Sequence, residues 1–508
     1  LRKEGFVRAH SNRFRLSSVR FSLAAALLLG AASALALDYA PLTPDPVAFK
    51  ARREKFMTLI GPRAIAILRT APTRTMSNDV RYPYRQDSDF YYLTGITEDD
   101  VIAVLRPEAA DGKKYILFLR PRDARQESVS GPRVGPDDAG AAYGADAAFP
   151  LKDFESKMAE FDRTTYKTSG YLVGVDKLYL SDGRDEVWAA EFDKRYQQLR
   201  SHDEGPASVV DARGVIHEMR LVKDAEDLRF LRRAAEISAQ GHIHAMQAAA
   251  PGLWEFQVQE ALDGYCSANG VRRMAYPSID GSGPNTCVLH YEDSSRQMKD
   301  GELLLNDSGA EYGMYATDIT RTYPVNGHFS PEQKAIYEVV LDAQKKAMAI
   351  VKPGIPHDEI EKTAALAQAE GLVKLGLLTG DPATLIRSYG HRRFTLHGVS
   401  HWVGLDVHDS CPYRGADGKS RVLEPGMVFT IEPGIYIPAN SAGVDPKWWN
   451  IGVRIEDTVL VTPTGYDCLS CGAPRELVEI ERTVQSGKKT ADGSPAATAS
   501  TPASAPAR

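Results

Sequence analysis

Three apolar, strand-like runs each carry an acid. Asp307 follows Leu303–Asn306, Glu432 follows Val428–Ile431, and Glu456 lies within Val453–Val461. A carboxylate taken out of water without a partner is costly, so a fold that buries these runs must bring a cation or a proton to each acid. A fourth acid joins them if Glu302-Leu-Leu-Leu-Asn-Asp307 and Tyr315-Ala-Thr-Asp318-Ile-Thr are arms of a hairpin turning at Tyr312-Gly313. Asp307 and Asp318 then face each other with Cβ atoms ~4.5–5.5 Å apart. Two facing anions repel, and hard carboxylate oxygens suit Mg, Mn or Zn between them. Read alone, the pair is more simply two solvated turn carboxylates, and Arg454 is a ready salt-bridge partner for Glu456.

A second cluster is His397-Gly-Val-Ser-His401-Trp-Val-Gly-Leu-Asp-Val-His408-Asp409, which holds three of the chain's 12 histidines. Imidazoles serve as ligands, proton carriers or donors to a developing oxyanion. The spacing is not that of a zincin helix, because no Glu follows His397 and Gly398 and Gly404 oppose a rigid helix. Taken singly, these are also ordinary hydrogen-bonded histidines.

The remaining sequence frames these segments. With 508 residues, 43% hydrophobic and 25% charged, the chain has the composition of a globular protein of about three domains. Its ends are different. A basic stretch to Arg20 and an uncharged, Ala/Leu-rich run from Phe21 to Leu37 have the anatomy of a secretory signal peptide, with cleavage choices near Ala34 and Ala36. Export to a periplasmic or secreted location is therefore expected, or a cytoplasmic location if the start is mis-set. At 17 residues the run is short for a permanent anchor, so no stable membrane insertion is expected after cleavage. Removing that leader's +5 from the total of −6 leaves −11, which argues against nucleic acid as a partner. Residues 485–508, rich in Ala, Pro, Ser and Thr, read as a disordered tail. Five cysteines are too few for a disulfide scaffold, and Cys468-Leu-Ser-Cys471 reads equally as a disulfide or two thiols.

Residues 38–213 read as a smaller α/β domain. Phe49–Leu59 is expected as a helix, Arg63–Leu68 and Tyr115–Leu119 as strands, and Ser130–Pro150 as an interruption. With no clustered histidines and acids, its expected role is support. Residues 214–484 read as an α+β domain. Lys223–Gln247 has helical periodicity, Ser330-Pro331-Glu332-Gln333 is a capping box that opens a helix ending at Pro353-Gly354, and His357 or Asp358 opens the next.

In order along the chain, Gly281-Ser-Gly, Leu289-His290-Tyr, Asp307, Thr317-Asp318-Ile-Thr-Arg, His397-Gly-Val-Ser-His401, Gly404-Leu-Asp-Val-His408-Asp409, Glu432-Pro-Gly and Arg454-Ile-Glu456-Asp resemble the pita-bread metallopeptidases, specifically their Xaa-Pro aminopeptidase branch. Asp87-Ser-Asp-Phe90-Tyr-Tyr-Leu-Thr-Gly95 resembles that branch's N-terminal domain. The resemblance implies a pita-bread catalytic domain, an antiparallel sheet with flanking helices, behind a smaller α/β domain. It implies two divalent ions, Mn(II) first with Zn or Co able to substitute, held by Asp307, Asp318, His401, Glu432 and Glu456. Asp318 and Glu456 would bridge, Asp307 would hold one ion, and His401 with Glu432 the other; four carboxylates then balance two divalent charges.

The implied reaction is attack by a metal-bridged hydroxide on the bond between an N-terminal residue and a following proline. Glu432 would move protons, and His290 and His408 would approach the peptide carbonyl. His397 would line the proline pocket, and Arg454 and Tyr436 would support ligands and substrate. The implied partners are peptides with proline second, and a homo-oligomer, dimer or tetramer, is expected. Tyr91 stands where some members carry Trp in a segment that reaches a neighbouring subunit's site. An Xaa-Pro dipeptidase resembles the chain in fold and metal set, though Gly398-Val-Ser-His401-Trp favours the aminopeptidase. A catalytically dead peptide-binding module on the same fold is the remoter alternative.

Overall fold

Asp45 accepts a hydrogen bond from the Val47 amide, and Pro46 supplies a preset φ at the first turn, so the first helix among the described residues begins there and runs Pro46–Ile60. The computed structural model describes residues 41–491 except 163, 165, 166 and 201–204. The expected signal peptide and residues 492–508 lie outside the described residues.

The first half is built on one six-stranded mixed sheet. Its order is Ser208–Asp211, Lys177–Ser181, Ala64–Arg69, Ile102–Leu105, Tyr115–Leu119 and Ala147–Pro150. The first three strands are mutually parallel, the next two add antiparallel, and the last is again parallel. Ile65, Ile67, Val104 and Phe118 build a core with Phe154 and Phe192. The expected interruption at 130–150 is corrected: it contains the helix Gly135–Tyr143 and the edge strand Ala147–Pro150.

The second half is α+β, as expected. Helices Ala225–Ala248, Glu255–Ala268, Pro331–Ala349 and Asp358–Lys374 flank short antiparallel sheets. The Ser330–Gln333 box is present, and a second box, Asp224 with Asp227, opens the helix at Ala225. Buried Trp402 packs with Phe429, Ile431, Val459, Met348 and Ile360, which joins two helices to the sheet beneath the histidine segment.

Two strand readings are corrected. The hairpin turns at Gly313-Met314, not Tyr312-Gly313: Tyr312 pairs with Tyr315 and Asp307 with Thr320. Both turn residues have positive φ, 57° and 77°, as a two-residue type I′ turn requires. The run Val453–Val461 is two strands. Ile451–Arg454 pairs with Gly434–Ile437, and Asp457–Val461 pairs with Val428–Ile431. The tail reading is also corrected at its start, since helix Leu477–Ala491 continues through Ser486 and Gly487. Cys468 and Cys471 form a disulfide. Tyr91 is only 2% exposed, packed edge-on against Phe49 of its own chain.

Candidate active site

Each of the four acids lies where a strand ends or the chain changes sheet. Asp307 closes Leu303–Asp307, Asp318 falls between Tyr315–Ala316 and Thr320–Pro324, Glu432 follows Val428–Ile431, and Glu456 separates Ile451–Arg454 from Asp457–Val461. Backbone bonds fix these breaks. The Glu456 amide donates to Thr320 O at 3.0 Å, the Glu432 amide to Val399 O at 2.8 Å, and the Thr430 amide to His401 O at 2.8 Å. Two-residue slippage of the hairpin keeps side chains on the same face, so Asp307 and Asp318 still meet although Thr320 is the direct partner.

The acids and imidazoles line one cavity of about 490 Å³, walled by Tyr276, His290, Asp307, Asp318, His397, His401, His408, Glu432, Arg454 and Glu456 among others. Donor atoms of Asp307, Asp318 and Glu456 lie within 4.8 Å of one another, as do those of His401, Glu432 and Glu456. Glu456 belongs to both groups. Asp318 also groups with His401 and His408.

The electrostatics demand a cation or protons. Burial first, then the neighbouring carboxylates, push Asp318 and Glu456 well above the usual carboxylate range. Glu432 moves the same way, by burial and then by Glu456. For Asp307 burial acts upward too, but the Arg454 guanidinium, 2.5 Å from Oδ2, holds it low. Arg454 therefore pairs with Asp307, not with Glu456. Glu456 Oε2 accepts from Thr320 at 2.7 Å, while its buried Oε1 has no hydrogen-bond partner.

His401 makes the same demand. Its Nδ1 lies 3.2 Å from Trp402 O, which can only accept, so Nδ1 carries the proton. The Nε2 lone pair then faces Asp318 Oδ2 at 3.3 Å, Glu432 Oε1 at 3.5 Å and Glu456 Oε1 at 3.8 Å. An orphaned carboxylate oxygen and a lone pair aimed at three acids fit divalent cations with oxygen-rich coordination.

The remaining residues divide between cavity wall and support. His397 Nδ1 donates to Gly398 O at 2.6 Å, so Nε2 accepts from the Tyr436 hydroxyl at 2.7 Å, and that hydroxyl accepts from Arg454 at 2.8 Å. Burial and then Arg454 push His397 down to about 4. Tyr436 is fully buried behind His397 and is not among the residues that wall the cavity, so it stands in a supporting position. His290 and His408 are exposed at the mouth, with the His408 ring 4.3 Å from His401. Sequence reasoning missed Tyr276. Its hydroxyl lies 2.6 Å from Asp307 Oδ1 and 2.5 Å from Asp318 Oδ1, and one proton cannot serve both. No acid, histidine or cysteine spacing marks this residue, so its part in the site was not legible.

Four acids and an imidazole converging at strand ends of an α+β framework define a metallohydrolase-type centre. Comparison with known proteins narrows the class. Residues 229–463 match metallopeptidase family M24, and residues 49–167 match the aminopeptidase P N-terminal domain. The chain is 38% identical over 445 residues to an Escherichia coli Xaa-Pro aminopeptidase, covering 87% of this chain and 98% of that protein. It is 32% identical to human Xaa-Pro aminopeptidase 3 over 458 residues, 86% and 85% of the two chains. The solved structure of Pseudomonas aeruginosa aminopeptidase PepP superposes with a TM-score of 0.83 at 40% identity, covering 88% of this chain and 99% of that one. The chain belongs to the pita-bread metallopeptidase family M24, in its aminopeptidase P branch.

Proposed function

We propose that this protein is a metal-dependent aminopeptidase that hydrolyses the bond between an N-terminal residue and a following proline. The convergence of Asp307, Asp318, His401, Glu432 and Glu456 on one wall of the histidine-lined cavity carries the reading. A variant of Escherichia coli aminopeptidase P, solved in complex with substrate, shares 37% identity and a TM-score of 0.82 with this chain, which supports a peptide as substrate.

Two divalent ions held by these residues, Mn(II) first with Zn or Co as substitutes, would supply Lewis acidity and activate water for attack. Asp318 and Glu456 would be shared between the two ions, Asp307 would help hold one, and His401 with Glu432 the other. Glu432, as a carboxylate held beside the cations, would take a proton from the attacking water and pass it to the proline nitrogen as the C–N bond breaks. His290 and His408 donate N–H to the carbonyl oxygen as negative charge develops. His397, fixed by Tyr436, lines the proline pocket, and Arg454 holds Asp307. An Xaa-Pro bond is a tertiary amide without N–H, so a pocket that recognises the ring replaces the contact a general aminopeptidase makes with that N–H.

Among the described residues no helix is long and apolar enough to cross a membrane. The basic-then-apolar leader supports export, and we expect a homo-oligomer, to be checked by light scattering. The deciding experiment is turnover of an Xaa-Pro-Xaa tripeptide, Gly-Pro and an Xaa-Ala control by Mn-loaded protein. Release of the first residue from the tripeptide is expected. Turnover of the dipeptide alone would assign a dipeptidase, and absence of Mn-stimulated cleavage a peptide-binding module.

A further inference from the structure

His408 lines the mouth of the cavity, yet among the described residues its imidazole makes no hydrogen bond of its own; its one ring contact is with His401. Its direction is therefore set by the loop that carries it, residues 404–409. That loop is short of regular structure, held by the Gly404 amide to Asp406 O at 3.0 Å, the Asp409 amide to Trp402 O at 2.9 Å and Gly404 O to the Ala316 amide at 2.8 Å. Acids flank the histidine on both sides, and both are captured by groups from outside the catalytic strands.

Arg220, at the end of helix Arg213–Leu221 and 3% exposed, is the hub. Its Nη2 reaches Asp406 Oδ2 at 2.8 Å and also Asp409, while Nη1 donates to Asp89 Oδ1 at 2.6 Å. Lys223 Nζ adds a bond to Asp409 Oδ2 at 2.9 Å. From the N-terminal half, Ser88 Oγ donates to Asp406 Oδ1 at 2.7 Å, and Arg85 donates to Leu405 O at 2.6 Å and lies 3.4 Å from Asp406 Oδ1. Packing leaves no slack: a Cβ on Gly404 would run into the Asp409 carboxylate. Asp89, Asp406 and Asp409 share Arg220, with Lys223 added at Asp409, His217 at Asp89 and Arg85 near Asp406, while Arg85 also pairs with Glu311 at 2.5 Å. Arg220, Lys223, Asp89 and Asp409 are buried, so breaking a pair among them strands a buried charge, while Asp406 is half-buried at the edge of the group.

We infer that the Arg85–Asp89 segment and Arg220, acting through Asp406 and Asp409, position His408 for its contact with the substrate carbonyl. The N-terminal half then contributes to turnover, beyond structural support, by fixing an imidazole it does not itself carry. Arg220, Asp406 and Ser88 are positioning residues on this reading, which rests on the role proposed for His408.

The test is a double-mutant cycle on the Mn-loaded full chain with an Xaa-Pro-Xaa tripeptide. Asp406 is half-buried, so Asp406→Asn weakens the clamp without emptying it, and Ser88→Ala serves as a second probe. We expect each to lower kcat by about 5- to 10-fold with KM changed less than 2-fold, and with the number of bound metal ions unchanged. In a His408→Ala background the same substitutions should cost less than 2-fold, because the side chain they aim is gone. Equal losses in both backgrounds, or no loss beside intact His408, overturn the inference while leaving the proposed activity standing. If His408→Ala itself leaves turnover unchanged, the role given to His408 fails and the inference fails with it.

Discussion

Glu456 makes the strictest demand in the site, because its buried Oε1 faces His401 and neighbouring carboxylates with no donor of its own. Glu456→Gln keeps the shape but cannot serve both donor sets as an anion. It is expected to lower kcat by ~10³-fold or more and to reduce the metal ions bound per chain, measured by turnover and elemental analysis. Asp318→Ala should abolish activity in the same assays. Tyr276→Phe removes the hydroxyl between Asp307 and Asp318. Denaturant unfolding of metal-stripped protein should register a loss of about 1.5–3 kcal/mol, the usual range for a hydrogen bond to a charged group, and a smaller loss when the metal is restored. At this scale the acids were legible because each interrupts or ends an apolar run, where a carboxylate needs a reason. Tyr276 was not, since a tyrosine beside a proline looks the same in any loop until three-dimensional contact shows what its hydroxyl touches.

Among the elements, helix Ala225–Ala248 carries a pH-sensitive contact behind the site. His242, fully buried, bonds Ser308 O at 3.0 Å, and burial followed by Arg321 pushes it down to about 4. An unfolded histidine titrates near 6.5, so below that pH the unfolded chain takes the proton first. The stability His242 contributes at neutral pH is therefore present above about 6.5 and lost as pH falls toward 4, about 3 kcal/mol in all. Urea midpoints at pH 7 and pH 4.5 should show a smaller drop in His242→Gln than in the parent. The helices near Phe49, Lys223, Ser330 and Asp358 were read from caps and periodicity, while Gly135–Tyr143, Glu186–Arg200 and Glu255–Ala268 were not. The hairpin was misplaced by one turn position because alternation alone does not choose between adjacent two-residue turns. Met314 at positive φ is an unusual turn residue that no propensity marks. The break at Glu456 was invisible for a related reason: apolar content continues across it, and only the pairing partners change.

For the whole molecule, the site sets a linkage between metal, pH and stability. Asp318, Glu432 and Glu456 have folded-state pKa values raised above their unfolded values. Their protonated forms cost nothing below the unfolded value of about 4, and stability is lost as pH rises through the raised values. These three acids should thus weaken chelated protein on moving from acid to neutral pH, against the opposite contribution of His242, and bound metal should remove their part. Chelation at pH 7.5 should lower Tm by roughly 5 °C or more, and the gap should narrow at pH 5.5 by differential scanning fluorimetry. The two-part layout and the α+β class were legible from composition, caps and strand patterning. The joining of the halves through Arg220, Asp89 and Asp406 was not, because charge pairs far apart in sequence leave no local pattern. The most direct measurement is anomalous diffraction from a crystal soaked in Mn(II). Two peaks are expected, one touching Asp307 and one touching His401 and Glu432, with Asp318 and Glu456 between them. No peak in this cavity, or peaks held by other residues, would contradict the account.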